Sequence, residues 1–200
     1  MSRQVLTNVY RLLHKAILLG ALYACIGGGW LAHSAEPGEE EVEAAFLYRF
    51  AGYVEWPAEA LSAPLFTIAV LGADGVAQDL QQMLPEHQLK NHPAQLRRIR
   101  RIEDLGNAQI LFVGPQYNDE LRRIIAQVAD RPVLIVTASD HGLEAGSCVN
   151  FLLIDRRLRF EVSTIAAEHA GLKISAELLS VAVRVQGHGT GVPLATGGLR

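Results

Sequence analysis

The residues able to do chemistry are scattered, and their spacing argues against a catalytic centre. Asp140 and His141 are adjacent in the run Ser139-Asp140-His141-Gly142. Sequence neighbours in a turn point apart, so an acid–base dyad is a poor reading, and Asp140 fits better as a turn residue bonding nearby backbone. A hydrolase built on this pair would need His141 for activity. His87 and His92 lie between Pro85 and Pro93 without a third ligand of metal-binding spacing, so no metal site is expected. No G-x-S-x-G elbow, P-loop or G-x-G-x-x-G after a strand is present. Gly72-Ala73-Asp74-Gly75 sits where a phosphate loop would, at the end of an apolar run, but two glycines there mark a tight turn first. Cys148 precedes a β-rich run with no basic neighbour to activate it, which reads as a buried structural thiol.

Two groups of side chains suggest binding instead. Arg157, Arg159 and Glu161 alternate, so they share one face of a strand, while Leu158, Phe160 and Val162 take the other. With Phe151 and Ile165 as apolar anchors and Lys173 at the rim, this region is a candidate partner surface. Glu161→Lys is then expected to abolish partner control without loss of stability. The second group is Phe46, Phe50, Tyr53 and Trp56, which either form core or line a pocket with Arg49 holding a carboxylate or phosphate; His169 is a further ligand candidate.

The start of the chain bounds where this binding occurs. Arg3, Arg11 and Lys15 precede an apolar run at 16–32, then Ala32-His33-Ser34-Ala35 and a turn to acidity at Glu36, Glu39, Glu40, Glu41 and Glu43. This predicts a cleaved export signal over residues 1–35 and work in a bacterial periplasm. Leu22-Tyr23-Ala24-Cys25 offers a lipoprotein alternative, anchored at Cys25. Loss of three basic residues with the leader takes the formal charge from −3 to −6, which argues against nucleic acid as a partner.

The remaining chain must position these residues. It reads as one domain at 36–185 followed by a disordered glycine-rich tail at 186–200. A helix is predicted at 41–56, ended by Pro57. Strands at 66–71, 96–102, 109–113 and 133–137 alternate with helices at 74–84 and 118–128. That alternation predicts an α/β fold with a mostly parallel, Rossmann-like or flavodoxin-like sheet and helices on both faces. Runs at 149–154 and 158–162 predict a C-terminal antiparallel hairpin, followed by short helices at 164–170 and 175–185.

The motifs, in order, resemble one family. Glu41-Val42-Glu43-Ala44-Ala45-Phe46-Leu47-Tyr48-Arg49-Phe50, continuing to Trp56-Pro57, is similar to the opening helix of the YfiR-like periplasmic proteins. Gly146-Ser147-Cys148-Val149-Asn150-Phe151 resembles that family's GGMINF segment. Arg159-Phe160-Glu161-Val162 and Ala170-Gly171-Leu172-Lys173-Ile174-Ser175 resemble its closing motifs. The resemblance implies a non-enzymatic repressor without cofactor. It would bind the periplasmic sensor domain of a membrane diguanylate cyclase (YfiN-like) and lower cyclic-di-GMP and biofilm output. It further implies release by an OmpA-like outer-membrane lipoprotein (YfiB-like) and a homodimer. Relatives with several cysteines differ from this chain, whose processed form keeps only Cys148. A periplasmic small-ligand sensor or solute-binding protein is the alternative.

Overall fold

The structure, a computed structural model, describes residues 38–84 and 87–187; the predicted leader, Cys25 and the tail beyond residue 187 lie outside the described residues. Helix α1 (Glu39–Tyr53) leads into a two-residue strand β1 (Val54–Glu55). Strand β2 (Phe66–Leu71) and helix α2 (Asp74–Met83) follow, then the short β3 (Gln88–Leu89) and β4 (His92–Ile99). Next come β5 (Ile110–Val113), α3 (Leu121–Ala126), β6 (Leu134–Thr137) and α4 (Gly142–Ala145). Strands β7 (Val149–Ile154) and β8 (Arg157–Ser163) precede α5 (Thr164–His169), β9 (Lys173–Ile174), α6 (Ala176–Val181) and β10 (Arg184–Gln186).

Eight strands form one sheet in the order β10-β8-β7-β6-β5-β2-β4-β3. The block β4-β2-β5-β6-β7 is parallel throughout. Strands β2 and β5 are buried at every position and apolar at all but Thr67, as burial on both faces demands. Numbered along the chain, the five strands run 2-1-3-4-5, so the order reverses between β2 and β5. β7 and β8 pair antiparallel from Val149↔Val162 to Ile154↔Arg157, across a turn in which Asp155 and Arg156 both take positive φ.

The core packs α1 against the sheet. Phe46 and Phe50 meet Phe151 and Phe160, with ring centroids 5.3 to 5.9 Å apart, and Phe112 lies 6.0 Å from Phe151. The aromatics of the first helix are thus mainly core. Trp56 is buried and donates its Nε1–H to the Gln109 carbonyl at 3.2 Å; Tyr53 alone of the four stays exposed.

Several boundaries differ from expectation, among them α3, an α-helix over Leu121–Ala126 where 118–128 is expected. The first helix stops at Tyr53, because Val54 and Glu55 pair with Ile174 and Lys173. His92 opens β4, a longer strand than expected, and β3 hairpins onto it through Lys90 and Asn91, both at positive φ. The helix expected at 175–185 ends at Val181. The alternating segment Val183-Arg184-Val185 leaves it and pairs with β8 instead, where Arg184 reaches Glu161. The same strand takes Gln186, assigned above to the tail.

Candidate functional site

The parallel strands bring their carboxyl ends to one side of the sheet. There the loop Gly72–Gly75 after β2, the segment Pro115–Asn118 after β5 and the loop Ala138–Asp140 after β6 enclose a crevice of about 890 Å³. The start of α1 forms one wall and the β7–β8 hairpin another, through Phe151, Leu152, Leu153 and Ile154. In open α/β sheets ligands are commonly received at the carboxyl ends of parallel strands. The glycine turn is tightly packed on its Cβ side. Gly72, at φ 73°, lies under the Tyr117 ring and the Gln116 amide, and Gly114 packs on the Gly72 carbonyl.

The crevice is acidic. Glu39, Glu40 and Glu43 come from α1, Asp74 from the first turn of α2, and Asp140 from the loop after β6. The Glu40 carboxylate lies over Gly75. Glu43 is the unusual member, because it is only 7% exposed. It has no hydrogen-bond or salt-bridge partner among the described residues. Burial, followed by the like charges of Glu39 and Glu40, pushes its carboxyl up from 4.5 to about 7. Its place in sequence explains the burial: Glu43 precedes buried Leu47 and Phe50 by one and two helical turns, on the face that packs inward.

A second polar centre lies under the hairpin. Thr137 donates its hydroxyl to Asn150 Oδ1 at 2.7 Å, and Asn150 Nδ2 donates to Glu161 Oε1 at 2.9 Å and to the Ser139 carbonyl at 2.8 Å. Arg184 Nε donates to Glu161 Oε2 at 2.6 Å, and its guanidinium also reaches Glu144 at 3.2 Å. Every atom in this chain of bonds has a role in joining β6, β7, β8, β10 and α4. It therefore reads as structural.

The residues expected to bind a partner are dispersed. Phe151, 3% exposed, is part of the aromatic core. Glu161, also 3% exposed, lies beneath Arg184 and is no rim residue; the sheet face it shares with Arg157 and Arg159 is solvated only at its outer end. Glu161→Lys would bury an ammonium against Arg184, so this substitution destabilises the fold and is not the stability-neutral change expected from the sequence. Arg159 is exposed on β8 opposite Leu152. Ile165 is half-buried in a groove with Leu143 and His169, and Lys173 is exposed on the β1–β9 ribbon opposite Glu55. Of the ligand candidates, Arg49 is exposed in a shallow recess beside Phe46, while His169 stands in the other groove with Nδ1 3.6 Å from Asp130. Asp140 and His141 are exposed, and no hydrogen bond joins them.

Sequence reasoning missed Glu43, Asn150 and the exposed hairpin tip. The tip presents Leu153 at 57% and Ile154 at 42% exposure, flanked by Asp155, Arg156 and Arg157. A signal existed for it: an apolar run that continues up to a charged turn, at the end of a strand longer than its neighbour β6. Cys148 is fully enclosed, and burial pushes its thiol up to about 11. Among the described residues no three His, Cys, Asp or Glu side chains converge as for a metal ion, and no helix is long and apolar enough to cross a membrane.

A solved structure described as a conserved domain protein from Vibrio cholerae O1 biovar El Tor N16961 is similar at 10% identity with a TM-score of 0.48. The match covers 76% of this chain and 61% of that one, so this chain spans about three fifths of its length. A search of curated proteins returns no match. The family model described as YfiR/HmsC-like matches residues 40–183, from the first helix to the last strand's approach, and the chain belongs to that family.

Proposed function

We propose that this domain is a periplasmic repressor that binds the periplasmic sensor domain of a membrane diguanylate cyclase and lowers cyclic-di-GMP. The observation that carries the reading is the family match over residues 40–183. The export-signal pattern supports the compartment. Such a protein turns nothing over. It needs only to bind one receptor state better than another: about 1.4 kcal/mol of preference gives a tenfold shift.

The contact we assign is the β7–β8 tip. Leu153 and Ile154 supply exposed apolar anchors, and Arg156, Arg157 and Arg159 supply a charged rim. Ile165 and Lys173 belong to other parts of the surface and would serve a second contact, such as a homodimer or a YfiB-like lipoprotein. The test is to co-express the chain with a cyclase bearing a periplasmic sensor and measure cyclic-di-GMP. The wild type lowers it. A Leu153→Asp, Ile154→Asp double variant, exported and melting like wild type, does not. If wild type leaves cyclic-di-GMP unchanged against the cyclases of its own cell, the repressor reading fails. If the double variant still represses, the tip is not the contact.

A further inference from the structure

We infer that the crevice at the carboxyl ends of the parallel strands is a binding site for an aliphatic polyamine, a chain of methylenes carrying amino groups several atoms apart. Three features of the crevice point there together. The first is a largely buried acid: Glu43 is 7% exposed, lines the crevice and has no hydrogen-bond or salt-bridge partner among the described residues, so its carboxylate meets solvent there and not a protein cation. An unpaired carboxylate in such a place costs free energy that a cation would recover. The second is the distribution of the remaining acids. Glu39 and Glu40 stand on α1, Asp74 on α2 and Asp140 beyond β6, around a space of about 890 Å³. They do not converge, and no group of three acids or histidines among the described residues is placed to hold a metal ion. Charges spread around a cavity match a ligand whose own charges are spread out. The third is the lining between them. Leu152, Leu153 and Ile154 offer apolar surface for methylenes, which a hydrated divalent ion cannot use. Among the lining residues no Lys, Arg or His competes for the acids.

Glu43 also gives the site a proton to release. The charged groups that act on it are Glu39 and Glu40 from its own helix, and the other charged residues lining the crevice, Asp74 from α2 and Asp140 from the loop after β6, are acidic as well. An ammonium group entering beside it favours the ionised form, so a protonated Glu43 loses its proton to solvent on binding. Affinity therefore rises with pH through neutrality.

The experiment is titration calorimetry on the full chain, purified as the cell processes it, with spermidine, with hexane-1,6-diol as its uncharged counterpart and with calcium chloride. Spermidine binds saturably at one site, the diol does not, and calcium binds at least about tenfold more weakly. Affinity increases between about pH 6 and pH 8 in wild type and is flat over that range in Glu43→Gln, which also binds about tenfold more weakly at the upper end. Asp140→Asn, on an exposed loop, weakens binding without touching the fold and stands in if Glu43→Gln is poorly folded. Absence of saturable spermidine binding up to about 5 mM overturns the inference. Calcium binding as tight as spermidine also overturns it, since that marks a diffuse acidic surface, as does unchanged affinity in both variants. None of these readouts involves the cyclase.

Discussion

Glu43→Gln should make this protein more stable, and only at neutral and alkaline pH. The carboxyl is pushed from 4.5 to about 7 in the folded state, chiefly by burial. Below the lower value both folded and unfolded chains hold the proton, and the residue costs nothing. Between the two values the folded chain holds a proton the unfolded chain has lost, so raising pH removes stability. Above about 7 the folded chain must carry the buried charge in full. The ceiling on that penalty is about 3 kcal/mol, from 1.36 kcal/mol for each unit of difference. The carboxylate borders a water-accessible crevice, so about 1 to 2 kcal/mol is the figure to expect. Glutamine keeps the shape of the protonated acid and cannot ionise. Urea unfolding of the two proteins should therefore agree near pH 4.5 and diverge by that amount above about pH 7.5. A difference in melting temperature of roughly 2 to 8 °C should accompany it. A pH-independent difference, or a variant less stable at pH 8, would refute the reasoning, because either would mean that Glu43 is comfortably solvated or paired.

Two other perturbations separate structural from functional polarity. Glu161→Ala strips acceptors from Asn150 and Arg184 and should cost about 3 kcal/mol, a melting decrease of roughly 6 to 12 °C; in a cycle with Arg184→Ala the losses should be strongly non-additive, and simple additivity would show that the pair contributes little. Cys148 should resist thiol reagents in the native protein at pH 8 and react once urea unfolds it; labelling within minutes in buffer alone would contradict its enclosure and its raised thiol.

Much of the scaffold can be read from pattern, and the reasons are specific. β2, β5 and β6 are short β-branched or aliphatic runs bounded by turn residues, and buried parallel strands look like that. α1 is harder to delimit, because Val54 and Trp56 continue its apolar spacing while the backbone has already become a strand paired with a segment far along the chain. β10 is illegible for a related reason: it exists through Arg184 and Glu161, two residues whose meeting no local spacing announces. The error over Glu161 is one of depth. Alternation assigns a residue to a face, and Arg159 and Glu161 do share one, but it cannot say where along that face Arg184 and α4 cover it. Glu43 shows the reverse case. Its register with Leu47 and Phe50 on the inward stripe is plain in the sequence, yet a run of five glutamates between residues 36 and 43 invites the reader to treat every one as solvated.

The reversed strand order sets the timing of assembly. β2 is made early, yet both of its neighbours, β4 and β5, are made later, and Phe46 and Phe50 on the first helix wait for Phe151 and Phe160 near the other end of the domain. Closing such distant contacts is slow, because loop entropy is spent before burial returns it. A ribosome delivers more than half of this polypeptide before Phe46 and Phe50 can meet Phe151 and Phe160. Were the chain exported as proposed, slow closure of these contacts would favour an unfolded thread at the translocation channel.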